Sequence, residues 1–131
     1  MKKEQRQKAW VNKPQAPKFT STEKTSLLET IKEATAKLPK ISEKVSRIEM
    51  RSNRIYMYEL VEQFKPEGAV YIKPLIDGKY VEFPYARITL HDNRGDVCTA
   101  DFQRHTGQWM TLYTGTMAEC IDDIENDDTW F

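Results

Sequence analysis

At Val45 the hydrophobic period changes: segments rich in β-branched and aromatic residues run to Thr114, the last three of them alternating, whereas on either side the apolar residues recur at helical spacing. A period of two belongs to strands that bury one face, and a period of about 3.6 to helices that bury one stripe. The chain therefore has to fold as a helix, a block of strands and a second helix.

The first helix is announced by Thr20 and Glu23, which have the spacing of a capping box. Leu27, Leu28, Ile31, Ala34 and Leu38 form its stripe, and Pro39 ends it. Val45 to Arg51 and Arg54 to Phe64 then read as strands joined by Ser52-Asn53. Lys65 to Gly68 reads as a loop. Ala69 to Ile76 and Lys79 to Phe83 flank Asp77-Gly78, a strong hairpin signal, and Pro74 and Pro84 place these strands at a sheet edge. Tyr85 to His91, Val97 to His105 and Trp109 to Thr114 complete a meander, with turns at residues 92–96 and 106–108. Thr116 caps a last helix with the stripe Met117, Cys120, Ile121 and Ile124, and Trp130 and Phe131 tuck back on the core. The expected class is α+β, an antiparallel sheet of about five to seven strands packed with an N-terminal and a C-terminal helix.

The 131 residues suffice for one domain, and 39% hydrophobic against 31% charged residues excludes a wholly disordered chain. Residues 1–19 read as a flexible basic arm and residues 20–131 as the domain. The arm holds Lys2, Lys3, Arg6 and Lys8 around a single large apolar group, Trp10, with Pro14 and Pro17 blocking regular structure. No stretch approaches the roughly 18 to 20 apolar residues of a membrane span, and no apolar run follows the N-terminal charges as in a signal peptide. Cys98 and Cys120 form no CxxC pair, so the expectation is two buried thiols in a cytoplasmic protein, with no metal and no cofactor.

Alternation sorts the last three strands onto two faces. Ala86, Ile88, Leu90, Cys98, Ala100, Phe102, Met110 and Leu112 fall on the core face. Tyr85, Arg87, Thr89, His91, Thr99, Asp101, Gln103, His105, Trp109, Thr111 and Tyr113 fall on the other. The candidate binding residues are Arg87, His91, Asp101, His105, Trp109 and Tyr113, because aromatic planes beside Arg and His on an open sheet can stack bases or sugars and hold a phosphate. The same face also reads as an ordinary solvated one. His105 near Asp101 has the makings of an acid–base pair, but no nucleophile, metal-ligand set or carboxylate pair accompanies it. Arg47, Arg51 and Arg54, near the first hairpin turn, read either as an extension of the basic surface or as ordinary exposed strand residues.

Asp122, Asp123, Glu125, Asp127 and Asp128 crowd the end of the last helix, either as a solubilising face or as a surface for something basic. Residues 1–55 carry 14 basic and 6 acidic side chains and residues 56–131 carry 6 and 14, so a formal net charge of zero hides +8 against −8. Arg94-Gly95-Asp96 spells an adhesion tripeptide but reads as an ordinary turn.

Four features, a short leading helix, the strand pair Arg47–Arg51 and Arg54–Tyr58, a meander ending in Gly107-Gln108-Trp109-Met110-Thr111-Leu112-Tyr113 and a terminal acidic helix closing on Asp128-Thr129-Trp130-Phe131, give the span from about Phe19 to Phe131 its pattern. That pattern resembles a family of small bacterial proteins known only as a domain of unknown function. The resemblance implies a cytoplasmic bacterial α+β domain and brings no catalytic residues.

Three functions are compatible with these residues. The first is a non-enzymatic binding or regulatory module acting through a protein partner, or through nucleic acid held by the arm and the polar face. The second is a hydrolase or nuclease using His91, Asp101 or His105. The third is a homo-oligomer in which the basic arm of one copy meets the acidic helix of another.

Overall fold

The computed structural model describes residues 16–62 and 75–131. Among these described residues, three helices and five strands follow in the order α1 (Ser21–Ala36), α2 (Pro39–Lys44), β1 (Arg47–Arg51), β2 (Arg54–Glu62), β3 (Tyr80–Leu90), β4 (Cys98–Gln103), β5 (Trp109–Gly115) and α3 (Met117–Asn126). The strands form one antiparallel meander in sequence order, β1-β2-β3-β4-β5. The fold is α+β.

Both capping boxes are formed. The Thr20 hydroxyl accepts from the Glu23 N–H while Glu23 accepts from the Thr20 N–H, and Thr116 and Glu119 do the same for α3. Pro39 ends α1 but also opens the short helix α2, where a missing N–H costs nothing at the first position. The N–H groups of Lys40 and Ile41 there donate to the two carboxylate oxygens of Glu125, at 3.0 and 2.9 Å, tying α2 to α3.

Ile31 of α1, Ile41 of α2 and Cys120, Ile121 and Ile124 of α3 are buried with Ile55, Met57, Ala86, Ile88, Leu90, Cys98 and Ala100 of the sheet. The helices thus cover one face, called inner here, and among the described residues no helix covers the outer one.

The structure departs from the alternation at three places. Pro84 does not separate two edge strands. It lies inside β3, the central strand, where the register shifts opposite Met57/Tyr58 and a bulge tolerates a residue without a donor. That bulge buries Tyr85, expected on the polar face, against Phe131. A second shift lets Ala100 pair with Tyr113 and Asp101 with Thr111, leaving Leu112 as the extra residue. Tyr113 accordingly turns to the inner face, packs against the core and donates its hydroxyl proton to Asp127. β4 also ends at Gln103, which leaves His105 in the following turn. The Asp77-Gly78 turn is present, with positive φ at both residues and a bridge between Ile76 and Tyr80. The rest of the strand expected over residues 69–76 and the 65–68 loop lie outside the described residues.

Candidate functional site

The register lines up the outer face in rows that cross the strands. One row runs Arg51, Arg54, Thr89, Thr99 and Thr114, the next Glu49, Tyr56, Arg87, Asp101 and Thr111. Arg47 pairs with Tyr58, and Gln103 with Trp109, at the far side of the second row.

Trp109 organises this surface. It stands on β5, yet the Arg87 guanidinium of β3 lies 4.4 Å from its ring centroid, and Tyr56 of β2 meets it edge-on at 6.0 Å. The indole therefore crosses β4, on which Asp101 stands. Arg87 Nε donates to Asp101 Oδ2 at 2.7 Å, the Thr89 hydroxyl donates to the same oxygen at 2.9 Å, and the Thr111 hydroxyl donates to Oδ1 at 3.0 Å. The Asp101 side chain is 1% exposed and that of Arg87 12%. A buried ion pair is tolerated only when its remaining lone pairs are satisfied, and here both carboxylate oxygens are.

A second cluster adjoins the first. Arg47 sits over the Tyr58 ring at 4.2 Å and forms a fork with Glu82 at 3.0 and 2.8 Å. Tyr58 donates to Glu49 at 2.7 Å, which also takes Arg47 and Arg51. The Tyr58 hydrogen bond, joined by Arg47 and Arg51, draws the Glu49 carboxyl below its usual range, and the Arg47 fork does the same for Glu82. Tyr56 and Tyr58 stack at 6.3 Å, so Tyr58, Tyr56 and Trp109 make one continuous aromatic strip. Arg51 and Arg54 are exposed beside it.

Of the residues expected at the site, Arg87, Asp101 and Trp109 are brought together. His91 is exposed near the first row, with Nε2 3.2 Å from the Thr99 hydroxyl. His105 is exposed in the turn beyond the other end of β4, so the two histidines do not converge. Asp101 serves Arg87 and two threonines rather than His105. Tyr113 belongs to the inner face. Lys2, Lys3, Arg6, Lys8 and Trp10 lie outside the described residues. Tyr56, Tyr58, Thr89 and Thr111 were not singled out as site residues. The signal for the two tyrosines was their alternation with Ile55 and Met57, which becomes a site only once β2 is known to neighbour β3.

Two of the five clustered acids have structural partners. Glu125 holds α2, and Asp127 accepts the N–H groups of Thr129, Trp130 and Phe131 together with the Tyr113 hydroxyl. Among the described residues no group of three or more His, Cys, Asp or Glu is placed to hold a metal, and no helix is long and apolar enough to cross a membrane. Comparison with protein-family models, curated proteins and solved structures finds no match for the chain, so the resemblance noted above adds no residue roles.

Proposed function

We propose that the chain is a non-enzymatic binding module that takes single-stranded nucleic acid on the outer face of its sheet. The observation that carries this reading is the Trp109 indole, held under the Arg87 guanidinium at 4.4 Å and met edge-on by Tyr56. Stacking on such a ring needs bases already out of a duplex, which favours single strands. Arg51 and Arg54 stand beside the strip to meet phosphate, and the basic arm with Lys2, Lys3, Arg6 and Lys8 adds cations that would strengthen the contact. The exposed, separated histidines and the saturated Asp101 favour binding over hydrolysis. Two free buried thiols suit a protein of the reducing cytoplasm.

The test is a titration of labelled single-stranded and duplex oligonucleotides at about 50 and 200 mM salt, with wild-type protein and with Trp109→Ala. The reading expects single strands to bind better than duplex, more tightly at low salt, and about fivefold or more weakly to the variant, the loss of one stacked base. An absence of binding at low salt contradicts it.

A further inference from the structure

Arg87 is the residue of the platform with the most obvious attraction for phosphate, yet its surroundings point to a different role. Its Nε donates to Asp101 at 2.7 Å, its guanidinium carbon lies over the Trp109 ring 4.4 Å from the centroid, and its side chain is 12% exposed. Asp101 in turn has both oxygens occupied and is 1% exposed. The Tyr58 end of the strip is paired in the same way. Tyr58 gives its hydroxyl proton to Glu49, and Arg47 gives its fork to Glu82 and a further N–H to Glu49. Reading the identity of a base requires free donors and acceptors facing its edge. Here the carboxylates of Glu49, Glu82 and Asp101 and the hydroxyls of Tyr58, Thr89 and Thr111 face one another or the arginines, and what the surface offers is chiefly aromatic area.

We propose that this face binds bases without reading their edges, and that Arg87 and Asp101 are positioning residues holding the Trp109 plane rather than ligand contacts. The proposal rests on the single-strand reading above and specifies its ligand class: unpaired nucleic acid of any sequence. A planar guanidinium anchored at one end by a buried carboxylate supports an indole over its whole area, which a lysine ammonium cannot do. Every base has a π-face, so recognition by stacking tolerates all four.

The experiment measures the affinities of four homo-oligonucleotides of equal length for the full chain and for Arg87→Lys. The exposure of Trp109 to acrylamide quenching is followed in parallel, in a background carrying Trp10→Phe and Trp130→Phe. Arg87→Lys keeps the charge, and its folding is verified by circular dichroism. The expected result has two parts. Wild-type affinities for the four oligonucleotides agree within about tenfold, and Arg87→Lys weakens all four alike by about fivefold or more while Trp109 becomes more accessible to the quencher. A wild-type preference for one base well beyond tenfold would overturn the proposal while leaving single-strand binding intact. So would an Arg87→Lys protein with unchanged affinities and unchanged quenching. If Arg87→Lys fails to fold, Thr111→Val, which removes one of the donors to Asp101, takes its place with the same two readouts. A wild-type protein that binds none of the four overturns this proposal together with the reading beneath it.

Discussion

At the scale of single residues, Asp101 carries the largest consequence. A carboxylate 1% exposed on the side of the sheet away from the described helices is stable only because Arg87, Thr89 and Thr111 satisfy it and the Trp109 indole crosses above it. Asp101→Ala leaves Arg87 without its counter-charge, and chemical denaturation should show a loss of about 3–5 kcal/mol. Tyr85 is the opposite case. Its hydroxyl is buried without a hydrogen-bond partner among the described residues, and burial raises its pKa. Tyr85→Phe removes that unsatisfied group and should stabilise the fold by about 1 kcal/mol in the same assay. Alternation placed Asp101 on the outer face correctly but could not show that it is buried, because its cover comes from a residue on a different strand. Tyr85 was misplaced for a different reason: a bulge adds a residue to one strand and breaks the period of two.

At the scale of elements, the starts of α1 and α3 were readable because a helix cap is a local pattern of side chain and backbone within four residues, whereas Pro39 read only as a stop and the start of α2 was not legible. Thr116→Ala should lower stability by about 1 kcal/mol, seen as a shift in the denaturation midpoint. The two bulges were not readable. Each is fixed by how a strand packs against its neighbour and core, which is why Pro84 ended inside the central strand and Tyr113 on the inner face. The turned Tyr113 completes a clasp at the end of α3. Burial pushes the Asp127 carboxyl up, but the Tyr113 hydroxyl and the N–H groups of Trp130, Thr129 and Phe131 outweigh it and hold it at about 2. A carboxyl depressed by folding contributes stability that is present above its unfolded pKa, about 4, and disappears as the pH falls toward 2. Denaturation midpoints measured between pH 5 and pH 2 should therefore fall less steeply for Asp127→Asn than for wild type. Equal slopes would show that the clasp does not favour the ionised carboxylate.

At the scale of the whole molecule, the fold gives its two sheet faces different work. The inner face and three helices make the core, and this division was legible once the period changed at Val45. Both thiols, Cys98 and Cys120, lie in that core, and burial pushes them up to about 12 and about 11. Native protein at pH 8 should therefore react with a thiol reagent slowly, and denatured protein at once. The outer face gathers the aromatic strip from β2 and β5, elements far apart in the sequence, and the sheet order that unites them is not a local property. The neutral net charge concealed a further division. The acidic half of the chain commits Glu125 and Asp127 to holding α2 and the C-terminal turn, while exposed Arg51 and Arg54 remain beside the strip.

The central claim is that bases stack on Trp109, and its emission reports this directly. In protein carrying Trp10→Phe and Trp130→Phe, titration with a single-stranded oligonucleotide should quench Trp109, saturating at the same concentrations as binding measured through a label on the oligonucleotide. Saturable binding that leaves Trp109 emission unchanged would place the ligand elsewhere and contradict the account.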